Sequence, residues 1–190
     1  MNASLVLLAA GDSRRLGSPK QLLRIGGETL LRRAAREACD SGAREVIVVL
    51  GFQADVMRAE INGLRARAIE NAAWHEGIAS SIRTGVGALD PSAGGVILAV
   101  CDQPRMTATH CNALIRAAES APARAAASFY GGSPGVPAFF PRALFADLLA
   151  LTGDRGAKGI LTAQRERLVT VAWPDGAIDI DTAEDIGAAV

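Results

Sequence analysis

A glycine-rich stretch near the start of the chain combines residue types that suit a phosphate group. It reads Leu8-Ala9-Ala10-Gly11-Asp12-Ser13-Arg14-Arg15-Leu16-Gly17-Ser18-Pro19-Lys20. Glycine lets the backbone approach a phosphate without a side-chain clash, and successive N–H groups can form an anion-binding nest. Arg15 can clamp phosphate oxygens in a fork, and Lys20 can add a point charge. The stretch therefore predicts a nucleotide phosphate-binding loop, distinct from the Gly-x-Gly-x-x-Gly dinucleotide fingerprint and from the Walker loop.

Asp102 is a second residue that could take part in the chemistry, because it stands where an apolar run ends. The run Val96–Val100 is followed by Cys101-Asp102-Gln103-Pro104. Mg²⁺ prefers oxygen ligands and phosphates, so an aspartate at the carboxyl end of a buried strand is well placed to hold it. Aspartate is also common there as a turn or cap residue. The phosphate loop on the same chain favours the metal interpretation.

The alternation of apolar runs with amphipathic segments predicts the elements that position these residues. Strands are predicted at 5–10, 45–50, 66–70, 96–100, 125–130, 136–140 and 168–173, and helices at 28–40, 54–61, 79–89, 107–120, 141–151, 157–164 and after Thr182. We expect residues 1–190 to form a single Rossmann-like α/β domain, with three layers (α/β/α) around a mostly parallel sheet. Ligands bind at the carboxyl ends of such strands, where Gly11 and Asp102 would lie.

Composition limits the class of partner. The chain has 190 residues and a net charge of zero, so no bulk field favours nucleic acid or an anionic membrane. The three cysteines Cys39, Cys101 and Cys111 lack paired spacing and are expected to be buried, reduced thiols. The start of the chain lacks the basic segment of a secretory signal, and no apolar run approaches the roughly 20 residues that span a bilayer. We expect a cytoplasmic protein with no membrane and no nucleic-acid partner.

The residues from Leu8 to Leu23 fit the pattern LAAGxSxRxGxxKxLL, which is the N-terminal signature of the MobA-like nucleotidyltransferases. The similarity extends over nearly the whole chain, and within the family the chain most resembles the molybdenum cofactor cytidylyltransferases. The resemblance implies the nucleotide-diphospho-sugar transferase-like form of the α/β fold. It also implies that the backbone of Ala9 and Ala10 lies beside the base. The residues that it places around the triphosphate are Gly11, Ser13, Arg15 and Lys20.

The resemblance further implies a magnesium ion held by two aspartates. Family members carry an Asp-Gln-Pro whose aspartate is a metal ligand, here Asp102; relatives that transfer GMP usually have Asp-Met-Pro, so Gln103 favours CTP. The second ligand would be Asp181, in the segment Ile178-Asp179-Ile180-Asp181-Thr182-Ala183-Glu184-Asp185, which resembles the family's DxDTPED element. Ala183 replaces the usual proline, which there only presets the first helical turn. The residues alone also fit a helix capped by Thr182.

Two more segments resemble family elements. The first, from Asn71 to Gly85, fits N-x-x-W-x-x-G-x-x-x-S-x-x-x-G and makes Ser81 the candidate base contact, with Asn71 also beside the nucleotide. Ser80 is a weaker candidate that could simply cap the helix, and Trp74 and His75 are interpreted as structural. The second comprises 132–137 and 153–158, similar to G-x-P and L-x-GD-x-GA-[RK], in the half that would receive the acceptor. Two purely structural loops would fit those residues equally well.

The reaction implied by the resemblance is a direct transfer of CMP from CTP to the terminal phosphate of molybdopterin. Arg15, Lys20 and Asp102 would be the catalytic residues, and the product would serve a molybdenum hydroxylase of the xanthine or aldehyde oxidoreductase type or its maturation chaperone. Three alternatives stay open: GTP as donor, CTP or UTP with a sugar or polyol phosphate as acceptor, and a non-enzymatic nucleotide-binding carrier or regulator. An oxidoreductase is less favoured because the dinucleotide fingerprint is absent.

Overall fold

The structure, a computed structural model, describes residues 2–13 and 19–178 and is built around a seven-stranded sheet. The strands are β1 (Ala3–Ala9), β2 (Arg24–Ile25), β3 (Glu28–Thr29), β4 (Glu45–Leu50), β5 (Arg67–Glu70), β6 (Gly95–Val100), β7 (Ala126–Tyr130), β8 (Ser133–Pro141) and β9 (Val169–Ala172). The α-helices are α1 (Leu30–Asp40), α2 (Ala54–Glu60), α3 (Ile78–Gly87), α4 (Ala108–Ser120), α5 (Phe145–Leu149) and α6 (Lys158–Ala163). Short 3₁₀ turns cover Lys20–Leu22, Trp74–Glu76, Arg142–Leu144 and Pro174–Ala177.

The main sheet has the strand order β5-β4-β1-β6-β8-β7-β9. Strands β5, β4, β1 and β6 run parallel to one another, and β7 runs parallel to β9. Only β8 among these strands is antiparallel to its neighbours β6 and β7, while β2 and β3 form a separate small hairpin. The prediction of a mostly parallel sheet is confirmed. The carboxyl ends of β1 and β6, which are neighbours, lie at the same edge.

Helices cover both faces of this sheet. Alternate residues of its central strand β1 point to opposite faces, so both faces carry apolar side chains that need cover. Leu5 and Leu7 of β1 belong to a cluster that includes residues of α1, α2 and α4. Val6 and Leu8 belong to a second cluster that includes residues of α3, α5 and α6. The three-layer prediction is therefore confirmed. A strand of mostly apolar residues is required in this position, since both of its faces are buried.

Helices α1 and α4 begin where their caps predict. The hydroxyl of Thr29 accepts a hydrogen bond from the backbone N–H of Arg32, and that of Thr107 accepts one from His110. In α1 the buried residues recur at the spacing of one helical face; they are Leu30, Leu31, Ala34, Ala35 and Ala38. The helix predicted at 28–40 starts two residues later because Glu28 and Thr29 pair with β2.

The segment 125–151 differs most from its prediction. The turn between β7 and β8 is Gly131-Gly132, where both glycines have positive φ, as a tight hairpin turn of the mirror-image type requires. Pro134 and Gly135, predicted to form a loop, are part of β8. Pro141, predicted to open a helix, instead ends β8 opposite Gly95. The strand continues this far because Phe139 and Phe140 are fully buried between the helical layers.

The three cysteines differ in burial, and the prediction of buried thiols holds for Cys101 and Cys111. All three cysteines are free, although Cys39 is only partly buried. Burial raises the pKa of the Cys111 thiol to about 12, which keeps it protonated and unreactive. Among the described residues, no helix is both long enough and apolar enough to cross a membrane.

Candidate active site

A cleft of about 680 Å³ opens at the edge where β1 and β6 end. One wall is formed by residues 8–13 together with Lys20 and Gln21, and the floor by residues 100–102. The opposite wall contains Trp74, the start of α3 and Asp154. The structure thus brings together segments that are far apart in sequence, including the described part of the predicted phosphate loop and Asp102.

Hydrogen bonds close the phosphate loop around a buried glutamine. Gln21 donates through Nε2 to the carbonyl oxygens of Ala9, at 3.2 Å, and Gly11, at 2.6 Å, while its Oε1 accepts from the Ser13 hydroxyl at 3.4 Å. The same hydroxyl accepts from the backbone N–H of Lys20 at 3.0 Å. Ser13 itself adopts the left-handed conformation, with φ 53°. Gln21 therefore ties both ends of the loop together.

Gln21 is a site residue that the sequence pattern did not reveal. Its only signal is a single polar side chain between Lys20 and the apolar Leu22 and Leu23. A buried carboxamide needs hydrogen-bond partners, and the carbonyl groups of the loop supply them. That arrangement depends on tertiary contacts, so it cannot be read from local sequence.

Lys20 and Asp102 form an ion pair across the cleft, through Nζ and Oδ2. Both side chains are largely withdrawn from solvent, with 20% and 16% of their surface exposed. The other carboxylate oxygen of Asp102, Oδ1, is buried and has no hydrogen-bond partner among the described residues. A buried carboxylate oxygen without a partner is costly unless a cation or donor completes it. Asp102 is therefore suited to a hard cation such as Mg²⁺.

Asn71 holds the two serines at the start of α3. Its Nδ2 donates to the hydroxyls of Ser80, at 2.8 Å, and Ser81, at 3.0 Å, and its Oδ1 accepts from the N–H of Ala73. Ser81 lines the cleft. Asn71 is thus placed to orient Ser81, and its own contact with a nucleotide stays a prediction. Ser80 does not cap the helix, because α3 begins at Ile78 with Gly77 in the capping position.

The opposite wall depends on a close approach at Gly77. This residue has φ 103°, and a Cβ placed there would lie 2.6 Å from the carbonyl carbon of Gly153 and 2.4 Å from Oδ1 of Asp154. The N–H of Ala79 donates to the carbonyl of Gly153 at 3.1 Å. Only glycine fits this contact, so Gly77 sets how the 153–154 loop meets α3.

Trp74 and His75 also line the cleft, although both were interpreted as structural. Trp74 does have a packing role, since its ring meets that of Phe52 edge-on at 5.6 Å. His75 is exposed. Among the described residues, no side chain forms a hydrogen bond with His75 that would orient it as a general acid or base.

Gln103 is directed away from the cleft wall. It is 4% exposed, and its Nε2 lies 3.2 Å from Oη of Tyr130, 3.1 Å from the carbonyl oxygen of Val136 and 3.5 Å from that of Gly176. The sequence prediction assigned Gln103 to the nucleotide site as the residue that favours CTP, whereas the structure places its side chain against the β7–β8 hairpin. Its chain neighbour Asp102 nonetheless faces the cleft.

A second, mostly apolar pocket of about 180 Å³ adjoins the cleft and shares Leu8, Ile78 and Val100 with it. Its far side consists of Tyr130 and residues 133–136, and its rim includes residues 156–158. The two C-terminal segments that resemble family elements therefore meet around one cavity. The apolar lining suits the body of a ligand rather than a highly charged group.

Three of the predicted site features lie outside the described residues: Arg15, the acidic pair Asp179 and Asp181, and the cap Thr182. Their roles stay predictions. Within the residues that are described, no group of three or more histidine, cysteine or acidic side chains is arranged to hold a metal ion.

Comparison with known proteins identifies one family. The MobA-like NTP transferase domain matches residues 5–168. Among solved structures, Rv0371c of Mycobacterium tuberculosis H37Rv in complex with manganese is 26% identical, with a TM-score of 0.80. The similarity covers 100% of this chain and 98% of that one.

Two curated relatives carry names that refer to different activities, one to purine catabolism and one to an oxidoreductase. The purine catabolism protein PucB of Bacillus subtilis (strain 168) is 30% identical over 195 residues, which cover 95% of this chain and 92% of PucB. The nicotine blue oxidoreductase of Paenarthrobacter nicotinovorans is 37% identical over 111 residues, covering 58% of this chain. That match spans 54% of the length of the oxidoreductase.

Proposed function

Since the chain belongs to the MobA-like NTP transferase family and is a nucleotidyltransferase, we propose that it transfers CMP from CTP to the terminal phosphate of molybdopterin, with or without molybdenum. The observation that carries the proposal is the juxtaposition of the phosphate loop with the Lys20–Asp102 pair in one cleft. The acceptor rests on the sequence resemblance to the cofactor cytidylyltransferases. The products would be the cytosine dinucleotide cofactor and pyrophosphate.

The proposed reaction is a direct displacement. An oxygen of the acceptor phosphate attacks the α-phosphorus of CTP, a phosphoanhydride bond forms, and the bond to pyrophosphate breaks. A phosphate monoester is already ionised at neutral pH, so no strong general base is needed. Positioning and charge neutralisation would supply the rate enhancement. Lys20 and, by the resemblance, Arg15 would offset the charge of the departing pyrophosphate.

We further propose that Asp102 holds a divalent metal ion, Mg²⁺ in the cell, with Asp181 as the second ligand. The buried, unpartnered Oδ1 of Asp102 supports this assignment, as does the manganese complex of the similar Rv0371c. When bound, the ion would neutralise charge on the phosphate oxygens. Lys20 already stands against the same carboxylate and would hold it in place.

Ser81 and the backbone of Ala9 and Ala10 would recognise the base. The hydroxyl of Ser81 lines the cleft, held by Asn71, and can donate to a ring acceptor or accept from the exocyclic amine of cytosine. We propose that the N-terminal half binds the NTP and the C-terminal half the acceptor, within one domain. The adjoining apolar pocket is the proposed acceptor site. We expect the reaction to be cytoplasmic and the product to be passed to a molybdenum hydroxylase or its chaperone.

Two related activities are the competing proposals. One is the same chemistry with GTP as donor, or with CTP or UTP and a sugar or polyol phosphate. The other is an oxidoreductase activity, which is favoured by the 37% identity to nicotine blue oxidoreductase over part of the chain. A single set of assays can separate them.

The deciding experiment is incubation of the protein with Mg²⁺, each of the four NTPs and either molybdopterin or a sugar or polyol phosphate, followed by mass analysis. A parallel incubation contains a nicotinamide cofactor in place of the NTP. We expect a dinucleotide that contains cytosine, together with released pyrophosphate. A product containing guanine would change the donor but not the reaction. Product formed only with sugar or polyol phosphates would replace the acceptor. Oxidation of a nicotinamide cofactor without pyrophosphate release would overturn the proposed function.

A further inference from the structure

We propose that Gln103 is a positioning residue for the acceptor: it fixes the wall of the apolar pocket and does not select the base. This inference rests on the proposed function, in which that pocket receives the body of the acceptor. Gln103, which follows the proposed metal ligand Asp102, would thus serve the acceptor and not the nucleotide. The acceptor class is a phosphate monoester with a body that fits a small, mostly apolar cavity.

The contacts of Gln103 form a closed triangle of hydrogen bonds. Its Nε2 lies 3.2 Å from Oη of Tyr130 and 3.1 Å from the carbonyl oxygen of Val136, and Tyr130 Oη donates to that same carbonyl at 2.9 Å. A carboxamide nitrogen carries two hydrogens, and these two contacts, with a longer third one of 3.5 Å to the carbonyl oxygen of Gly176, occupy both. Reading a base through this nitrogen would require breaking buried hydrogen bonds. The carboxamide oxygen Oε1 has no partner among the described residues but is itself buried, and Gln103 does not line the nucleotide cleft.

The groups held by this triangle are the far wall of the apolar pocket. Tyr130 and Val136 both line that pocket, on either side of the β7–β8 turn. The ring of Tyr130 is packed on two further sides, since a Cβ at Gly135 would lie 2.4 Å from its Oη and one at Gly176 would lie 2.6 Å from its Cδ1. Gln103 supplies hydrogen bonds that hold Tyr130 and Val136 in fixed positions in this mostly apolar wall.

The position of Gln103 in the chain couples the two substrate sites. Asp102, its neighbour, lines the nucleotide cleft, while Gln103 itself contacts the pocket wall. The turn is also anchored from α1, where Nε of Arg33 donates to the carbonyl oxygen of Pro104 at 3.0 Å. The carboxylate and the acceptor wall are therefore attached to one short, anchored turn. Their separation sets how far the acceptor phosphate stands from the α-phosphorus.

A methionine at position 103 tests this arrangement, because it keeps the length of the side chain and removes the donor. We expect Gln103→Met to raise the KM for the acceptor about tenfold, the scale of one lost buried hydrogen bond. The KM for CTP and the ratio of kcat/KM between CTP and GTP should change less than about twofold. Tyr130→Phe should do the same. The combined loss in the double variant should be smaller than the sum of the two single losses, because the contact between Gln103 and Tyr130 is counted in both.

Ser81→Ala provides the opposite pattern. We expect it to alter the CTP-to-GTP ratio and the KM for CTP while leaving the KM for the acceptor unchanged. If Gln103→Met instead shifts the CTP-to-GTP ratio about tenfold and leaves the acceptor KM alone, Gln103 reads the base and the inference is wrong. Equal losses for both substrates would also overturn it, because they would indicate a general structural defect.

Backbone amide exchange gives a readout that does not need an acceptor. In Gln103→Met we expect the backbone amides between residues 130 and 136, apart from Pro134, to exchange about tenfold faster, while those of β1 stay as in the unaltered protein. Unchanged exchange over 130–136 would overturn the inference. If the unaltered protein forms no dinucleotide with any NTP, the proposed function fails, and the exchange result alone decides whether Gln103 holds this hairpin.

Discussion

At the scale of single residues, the cleft is organised by side chains that neutralise or orient one another. Lys20 pairs with Asp102, Gln21 fixes the loop that carries Lys20, and Asn71 fixes Ser81. These polar groups are largely withdrawn from water and held by a neighbour, and Oδ1 of Asp102 alone among them is left without a partner among the described residues. Fixed polar groups of this kind can hold a charged ligand in a defined place. Chemistry should therefore be more sensitive than folding to changes in the Lys20–Asp102 pair.

Asp102→Asn tests that expectation, because it removes the charge and keeps the shape. We expect kcat/KM for the NTP to fall about 10²–10³-fold at saturating Mg²⁺, the scale of a lost charge interaction in a preorganised site. Pyrophosphate release measures it. Asp40→Asn is the matched control: Asp40 is 60% exposed and paired with Arg36 on α1, so turnover should change less than about twofold. Near-normal turnover by Asp102→Asn would disprove the metal-binding role.

At the scale of elements, local patterns predicted the helices well and the strand β8 poorly. In α1 and α4 the cap and the apolar face lie within one segment, so their signal is local. Strand β8 contains Pro134, Gly135 and Pro141, which argue against a strand. It exists because its backbone pairs with β6 and β7 while Phe139 and Phe140 are buried on opposite faces of the sheet. Pairing between distant segments overrides propensity there.

The same distinction applies to the site. Asp102 and the phosphate loop were predicted to meet because the carboxyl ends of parallel strands share one edge of the sheet. This rule holds even where the predicted strand bounds are off by a few residues. The orientation of Gln103 and the burial of Gln21 depend on which carbonyl groups surround them, and no spacing in the sequence encodes that. The close approach at Gly77 is likewise visible only from its partner, the 153–154 loop.

Gly77→Ala examines how the start of α3 shapes the cleft. The added Cβ would meet the backbone of Gly153 in a conformation that alanine rarely adopts, so we expect a loss of about 1–3 kcal/mol in the free energy of unfolding. The KM for the NTP should also rise, because Ser81 lies one helical turn further on. Urea denaturation and steady-state kinetics measure the two effects.

Gly87→Ala in the same helix is the control for that change. A Cβ at Gly87 meets nothing within 4 Å, so alanine there should be neutral or should stabilise by up to about 1 kcal/mol. The KM for the NTP should not change. Equal effects of the two substitutions would mean that the contact with the 153–154 loop does not shape the cleft.

At the scale of the whole molecule, a buried histidine joins the helical layer to the sheet. Nε2 of His110 on α4 lies 2.7 Å from Oγ of Ser128 on β7, and its ring stacks on Trp173 with centroids 4.5 Å apart. Ser128 donates its own hydrogen to the carbonyl oxygen of Pro137, so the imidazole must donate to Ser128 and carries its proton on Nε2. Burial lowers the pKa of His110 to about 4.

This histidine should make folding stability depend on pH. Its pKa is about 6.5 when unfolded and about 4 when folded, so between these values the unfolded chain binds more protons and stability falls as the pH falls. From pH 7 to pH 5 we expect a loss of roughly 2 kcal/mol from this group, and little further change from it below pH 4. Denaturant titrations at several pH values measure the loss.

His110→Gln, which keeps a donor for Ser128, should abolish this component of the pH dependence. His75→Gln is the control: it changes the other histidine of the chain, which is exposed, and should retain the component. If His110→Gln left the pH dependence between 7 and 5 unchanged, the loss would have to come from other groups, and the contact between α4 and β7 would not depend on a neutral imidazole.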